Sequence, residues 1–231
     1  SNLYSYKKEI NLYKNKKMIE NLHSMRIDYS GEDLLKNNLK KNPIEQFNLW
    51  FKEAINYKIK EPNAMILSTI KKNNKPTSRT VLLKEIDNKG FIFFTNYNSN
   101  KGKEIENNNY VSLNFLWKEM ERQIIIEGKT KKISNESSEN YFNKRPRDSQ
   151  ISAWVSNQSK KLENRLVLEN QHKNMIKKFK SVEIIPKPNF WGGYIVVPNK
   201  IEFWQGKKSR LHDRICYKLI NKNWEIFRLS P

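Results

Sequence analysis

A succession of short apolar runs, each closed by turn residues, constrains this chain more than any other feature. Residues 64–70 (AMILSTI) are followed by the turn-like 71–76, then 78–84 (SRTVLLK), then Asp87-Asn88-Lys89-Gly90, then 91–95 (FIFFT). Residues 110–116 and 123–131 continue the series. Residues 194–197, 201–204, 210–219 and 224–229 resume it, with Asn221-Lys222-Asn223 as the last turn. Runs of this length, rich in β-branched and aromatic residues and bounded by Asn, Gly and Pro, predict strands. The strand–helix–strand rhythm of a parallel sheet is missing. The pattern therefore predicts an α+β fold with a mainly antiparallel sheet, closed as a barrel to remove its edges.

Helices are predicted around and between these strands. In Asn42-Pro43-Ile44-Glu45 the Asn can cap, the Pro suits a first turn, and the Glu stands three residues after the cap. Ile44, Phe47, Trp50, Phe51, Ala54 and Ile55 then recur at helical spacing, giving one apolar stripe up to about Tyr57. Ser99 caps a short helix over 101–106, and Ser134 opens another to about Lys144. Residues 149–155 and 160–180 read as helical too. Residues 1–24, rich in Lys and Asn with little periodicity, read as a mobile N-terminal arm. Residues 25–231 read as a single domain, since neither a repeat nor a flexible linker divides them.

Composition narrows the chemistry. The net charge of +20 favours anionic partners, but the excess is mostly Lys interleaved with Asn along the whole chain. That spread assigns it to the solvated surface instead of a nucleic-acid groove. The informative cations are those set among apolar residues, because an unpaired buried charge is costly. The one cysteine, Cys216, rules out an intrachain disulfide and a cysteine-built metal site, and its apolar surroundings (RICYKLI) mark it as inert core. His23, His172 and His212 are far apart, so no metal is expected, and no glycine-rich phosphate loop or nucleophile elbow is present. No apolar run approaches the roughly 18 residues of a membrane span. The first thirty residues lack an apolar signal region, so the expected compartment is the cytoplasm.

Three cation-bearing segments remain. In IEFWQGKKSRLHDR (201–214), strand alternation would put Arg210, His212 and Arg214 on one face and Leu211, Asp213 and Ile215 on the other. Three such groups repel unless an anion lies among them, and Asp213 points the wrong way, so an anionic ligand is favoured over a solvated edge. In YFNKRPRDSQ (141–150), Tyr141, Arg145 and Ser149 are four apart, while Pro146 breaks a continuous helix. A helix start beside Arg145 is either a phosphate site or a solvated helix–helix connection. In RTVLLK (79–84), alternation puts Arg79 and Lys84 on opposite faces unless a bulge intervenes, which would suit two anions or two ends of one pocket. Thr95 and Lys101 follow the next strand.

These residues carry a family resemblance. IEFWQG followed by RLHDR resembles the signature of the pyridoxamine 5′-phosphate oxidase family. RPRDSQISAWVSNQS, RTVLLK, FFTNYNSNKG, ERQIIIEG, FWGG and the terminal RLSP are similar to further blocks of it, in the family's order from about Met25 to Pro231. The resemblance implies a split β-barrel homodimer with FMN at the subunit interface. The implied reaction oxidises pyridoxamine 5′-phosphate or pyridoxine 5′-phosphate to pyridoxal 5′-phosphate with dioxygen, releasing hydrogen peroxide and, from the amine with water, ammonia. Neither nucleic acid nor membrane is an implied partner.

Residue by residue, the resemblance implies that Arg79, Thr95 and Lys101 hold the FMN phosphate and ribityl end. Thr80, Val81, Leu82, Leu83, Lys84 and Phe94 would line the flavin, with Gln123 near the ring. Gln158 and Ser159, from the partner subunit, would complete that site beside Trp204 and Arg214. Lys84, Tyr141, Arg145 and Ser149 would grip the substrate phosphate, and Arg210 and His212 would lie over the substrate ring as the catalytic pair. Arg26 and Tyr29 would form a lid. Asn100 departs from the pattern, because many family members carry a second cation there, and this puts FMN affinity in question. Two other readings stay open: a split-barrel flavin oxidase or reductase acting on another ring, and a basic nucleic-acid-binding protein.

Overall fold

A computed structural model describes residues 21–231; residues 1–20 of the expected arm lie outside the described residues. The strands are β1 (Ala64–Ile70), β2 (Pro76–Leu82), β3 (Glu85–Ile86), β4 (Phe91–Asn96), β5 (Tyr110–Trp117), β6 (Arg122–Lys132), β7 (Trp191–Gln205), β8 (Asp213–Ile220) and β9 (Asn223–Leu229). The α-helices are α1 (Pro43–Asn56), α2 (Asn100–Asn107), α3 (Asn135–Lys144), α4 (Arg147–Val155) and α5 (Arg165–Phe179). All strand pairs are antiparallel, in the order β2-β1-β5-β6-β7-β4-β3, with β8 and β9 added beside β7.

One strand organises the sheet. The two expected strands at 194–197 and 201–204 are one continuous β7. Its first half pairs with β4 and its second half with β8, while β6 runs along its other side. The sheet ends, β2 and β3, are joined by Leu83 and Lys84; the Lys84 N–H donates to the Ile92 carbonyl at 2.9 Å. That covalent corner curls the sheet into a split barrel with peripheral helices.

Helix α1 begins as expected: the Asn42 side chain accepts from the Ile44 N–H at 2.8 Å, and Pro43 occupies the first turn. Its stripe buries Ile44, Phe47, Trp50 and Ala54, whereas Ile55, expected in the stripe, is exposed. Phe47 meets Phe91 and Phe115 edge-on, with centroids at 4.9 and 5.1 Å. Truncating a buried phenylalanine costs about 3–5 kcal/mol, so this plug is a major term in barrel stability. A second, smaller core joins Phe142, Ile151, Phe179, Ile185 and Trp191 where the helices cover the start of β7.

Among the boundaries that differ from expectation, two have clear local reasons. The helix expected over 160–180 starts only at Arg165, because the Asn164 side chain caps it by accepting from the Val167 N–H. The strand expected from Arg210 starts at Asp213, because residues Lys208–Arg210 form a 3-10 turn in which Ser209 and Arg210 are left-handed (φ 56° and 60°). Strand alternation therefore does not reach Arg210, and Arg210, His212 and Arg214 do not share one strand face.

Candidate active site

Among the described residues, β2 pairs only with β1, so its other edge offers unpaired backbone groups. A cavity of about 900 Å³ follows that edge. Arg79, Thr80, Val81 and Leu82 of β2, with Lys84 beyond it, form one wall. Phe94 and Thr95 of β4 and Asn100 and Lys101 of α2 form another. Tyr141, Arg145 and Ser149 at the α3–α4 junction, with Gln158 and Ser159, complete the lining. The corner between β2 and β3 brings Arg79 and Lys84 into one cavity, as two ends of one pocket would require.

At one end Arg79 is held by its own chain. Its Nη2 lies 3.0 Å from Glu104 Oε2, and its Nη1 donates to the Leu67 carbonyl at 3.2 Å and to the Thr69 hydroxyl. Thr69 in turn donates to Glu104 at 2.6 Å. Lys101 Nζ donates to Thr95 Oγ1 and to Gln158 Oε1, both at 3.2 Å. Burial, then the nearby Arg79, lowers the Lys101 pKa, and Glu104 opposes that shift. The Asn100 N–H donates to Ser159 Oγ at 3.2 Å. Gln158 and Ser159, expected from a partner subunit, thus reach this cavity from the same chain.

At the other end Arg145 is held differently. Pro146 stops α3, leaving Arg145 extended as its C-cap, and α4 starts afresh at Arg147. Gln150 Nε2 pins the junction by donating to the carbonyls of Phe142, Asn143 and Arg145 at 3.1–3.2 Å. The guanidinium lies over the Trp191 ring at 4.8 Å and the Phe142 ring at 5.7 Å. Its Nη1 is buried and has no hydrogen-bond partner among the described residues. Burial lowers the Arg145 pKa and raises that of Tyr141, whose ring stacks on Phe94 at 3.8 Å. A Cβ on Gly193, opposite Phe94, would lie 2.5 Å from Ile133 Cδ1 and 2.9 Å from the Phe94 ring, so a side chain there would require Ile133 and the Phe94 stack to shift.

The remaining expected site residues lie elsewhere. Leu83 is buried in the barrel core, and its N–H donates to the Asn63 carbonyl at 2.8 Å. Gln123, Trp204 and Arg214 are neighbours across β6, β7 and β8. Trp204 stands thirteen residues after Trp191 on β7, which at ~3.3 Å per residue is about 40 Å along the strand. Tyr29 packs edge-on against Trp204 and His212, at 5.8 and 5.6 Å. His212 Nδ1 accepts from the Lys207 N–H at 3.0 Å, so the neutral ring carries its proton on Nε2. Arg26 and Arg210 are exposed.

The anion inferred beside Arg214 from strand parity is supplied by the protein. Arg214 forms a two-pronged pair with Glu202 (2.7 and 3.1 Å) and donates to the Ser230 carbonyl. Asp213 is engaged by the Leu34 N–H and Arg228, so it indeed faces away from Arg214. Sequence reasoning missed Glu104 and Trp191. Glu104 follows Lys101 by one helical turn, a spacing that could have flagged it, whereas nothing local pairs Trp191 with Arg145. Among the described residues no cluster of three metal-ligating side chains occurs, and no helix is long and apolar enough to cross a membrane.

Comparison with known proteins adds the following. A sequence profile described as pyridoxamine 5′-phosphate oxidase matches residues 51–176, and one described as the pyridoxine 5′-phosphate oxidase C-terminal dimerisation region matches residues 191–231. The chain is 51% identical over 210 residues to a pyridoxine/pyridoxamine 5′-phosphate oxidase of Actinobacillus pleuropneumoniae serotype 5b (strain L20), covering 91% of this chain and 99% of that protein. It is 50% identical over 214 residues to pyridoxine/pyridoxamine 5′-phosphate oxidase 2 of Hydrogenovibrio crunogenus, covering 93% and 100%. Among solved structures it is similar to PhzG from Burkholderia lata 383, determined in complex with tetrahydrophenazine-1-carboxylic acid. The TM-score is 0.82 and the identity 26%, with 87% of this chain and 100% of that chain covered.

Proposed function

The chain belongs to the pyridoxamine 5′-phosphate oxidase family, and on that premise we propose that it oxidises pyridoxamine 5′-phosphate and pyridoxine 5′-phosphate to pyridoxal 5′-phosphate. Flavin mononucleotide is the cofactor and dioxygen the oxidant in this reading. The observation that carries it is the buried, unpartnered Arg145 Nη1, in a cavity whose opposite end holds Arg79 and Lys101. A buried cation without an acceptor is costly, and a phosphoryl group supplies several acceptor oxygens at once. Two cation sets in one cavity suit two phosphates, one on the cofactor and one on the substrate.

The donor set fits the flavin nucleotide. Arg79, Thr95 and Lys101 would hold its phosphate, and Thr80, Val81 and Leu82 on the free edge of β2 would line the flavin. Bound there, flavin mononucleotide would supply the two-electron redox chemistry that couples oxidation at the substrate's exocyclic carbon to reduction of dioxygen to hydrogen peroxide. Lys84, Tyr141, Arg145 and Ser149 hold the substrate phosphate and so orient the rest of the substrate. Gln123, Trp204, Arg214, Arg210 and His212 do not line this cavity in the same chain. A second copy supplies them in a homodimer, consistent with the dimerisation-region match over 191–231. His212 then offers an Nε2–H donor, Arg210 sits over the substrate ring, and Arg26 and Tyr29 cover the entrance.

A flavin enzyme acting on a ring that bears no anionic group would use the Arg79 end alone and leave Arg145 without an anion, which disfavours that alternative. The test is anaerobic titration of the purified protein with pyridoxamine 5′-phosphate. The flavin absorbance should bleach and recover on admitting air, with pyridoxal 5′-phosphate formed. A protein that stays colourless after incubation with flavin mononucleotide would sink the proposal.

A further inference from the structure

We infer that Lys71, on the β1–β2 hairpin, is a cofactor-phosphate ligand that supplies the second net positive charge the Arg79 end of the cavity otherwise lacks. The inference rests on the flavin mononucleotide reading above. Charge accounting motivates it. The Arg79 charge is met by Glu104 at 3.0 Å, Lys101 contacts only neutral oxygens among the described residues, and Asn100, which lines the same end, is uncharged. The protein's own groups there sum to one net positive charge. A phosphate monoester carries roughly −1.5 to −2 at neutral pH.

Strand register brings Lys71 to that place. Leu67 pairs with Arg79 and Thr69 with Thr77, so these four side chains share one face. Lys71 follows the end of β1, two residues beyond Thr69, whose hydroxyl bonds both Arg79 and Glu104, and its N–H donates to the Lys75 carbonyl at 2.9 Å across the hairpin. Lys71 lines the cavity together with Thr77 and Asn100, whereas the neighbouring Lys72 and Lys75 are not part of the lining. Its ammonium has no acceptor among the described residues, and its side chain is exposed, free to swing towards an anion on its flexible stem.

The test titrates apoprotein with flavin mononucleotide and, separately, with riboflavin, which lacks the phosphate, following flavin fluorescence. Lys71→Ala should raise the Kd for flavin mononucleotide about five- to tenfold and leave riboflavin binding unchanged. Lys71→Arg should bind like the native protein, and adding Asn100→Arg to Lys71→Ala should restore affinity. A Lys71→Ala Kd within about twofold of native, or an equal loss for riboflavin, would overturn the inference while leaving the cofactor reading intact. If the native protein itself fails to bind flavin mononucleotide, the cofactor reading falls, and this inference with it.

Discussion

Arg79 and Arg145 line the same cavity, yet Arg79 meets the Glu104 carboxylate at 3.0 Å, while the Arg145 guanidinium meets only the rings of Trp191 and Phe142 among the described residues. A carboxylate both orients a guanidinium and neutralises it. An aromatic face orients it and leaves the charge in place. The Arg145 end is therefore built around an uncompensated cation, pinned by Gln150 and ready for an anion that comes and goes with turnover. The Arg79 end is internally balanced, and its affinity for a phosphate depends on what Lys101 and neighbouring groups add.

The largest expected effect breaks this contrast directly. Arg145→Ala should raise the KM for pyridoxamine 5′-phosphate about 100-fold, with kcat and the Kd for flavin mononucleotide little changed, because a contact common to ground and transition states is removed. Steady-state kinetics beside a cofactor titration checks it; loss of the flavin instead would mean the two ends are assigned the wrong way round. Glu104→Gln sharpens the contrast from the other side. The amide oxygen still accepts from Thr69 and Arg79, but the neutralising charge is gone, so flavin mononucleotide should bind about three- to tenfold tighter with substrate KM unchanged. Weaker binding would make Glu104 chiefly a support for Arg79.

The smallest effect is a pH drift. Burial and Arg79 hold Lys101 below the ordinary lysine value of 10.5. Only the protonated form attracts phosphate, so affinity for flavin mononucleotide is full below that lowered pKa and weakens as pH rises through it. Riboflavin affinity should stay flat over the same window. Arg145, although also lowered by burial, starts from 12.5 and keeps its proton there, so substrate KM should not follow the drift. Equal drift in both quantities would erase the distinction between the ends.

Much of the fold was legible in the residue order. The Asn42 cap, the Ser99 and Ser134 caps and the Asn221–Lys222 hairpin turn are local features, settled by hydrogen bonds and left-handed residues within a few positions. The left-handed turn at Ser209–Arg210 was not legible, because neither residue is a glycine and the alternation continued smoothly across it. The Arg214–Glu202 pair was missed because its partner lies on the adjacent strand, outside the window where parity was applied.

By itself, then, the sequence determined the strand-rich antiparallel pattern, the helix starts that carry a side-chain cap at Asn42, Ser99 and Ser134, the order of motifs and the cations that lie among apolar residues, since periodicity and capping act over short distances. Tertiary structure alone decided which cation is neutralised and which is left bare. Arg79 finds Glu104 across 25 positions, Lys101 finds Gln158 across 57, and Arg145 finds Trp191 only because β7 runs beneath the helical layer. It also decided that the Trp204 cluster sits a strand's length from the cavity. Charge pairing falls off within a few ångströms, so it follows the register and curl of the sheet and not the spacing along the chain.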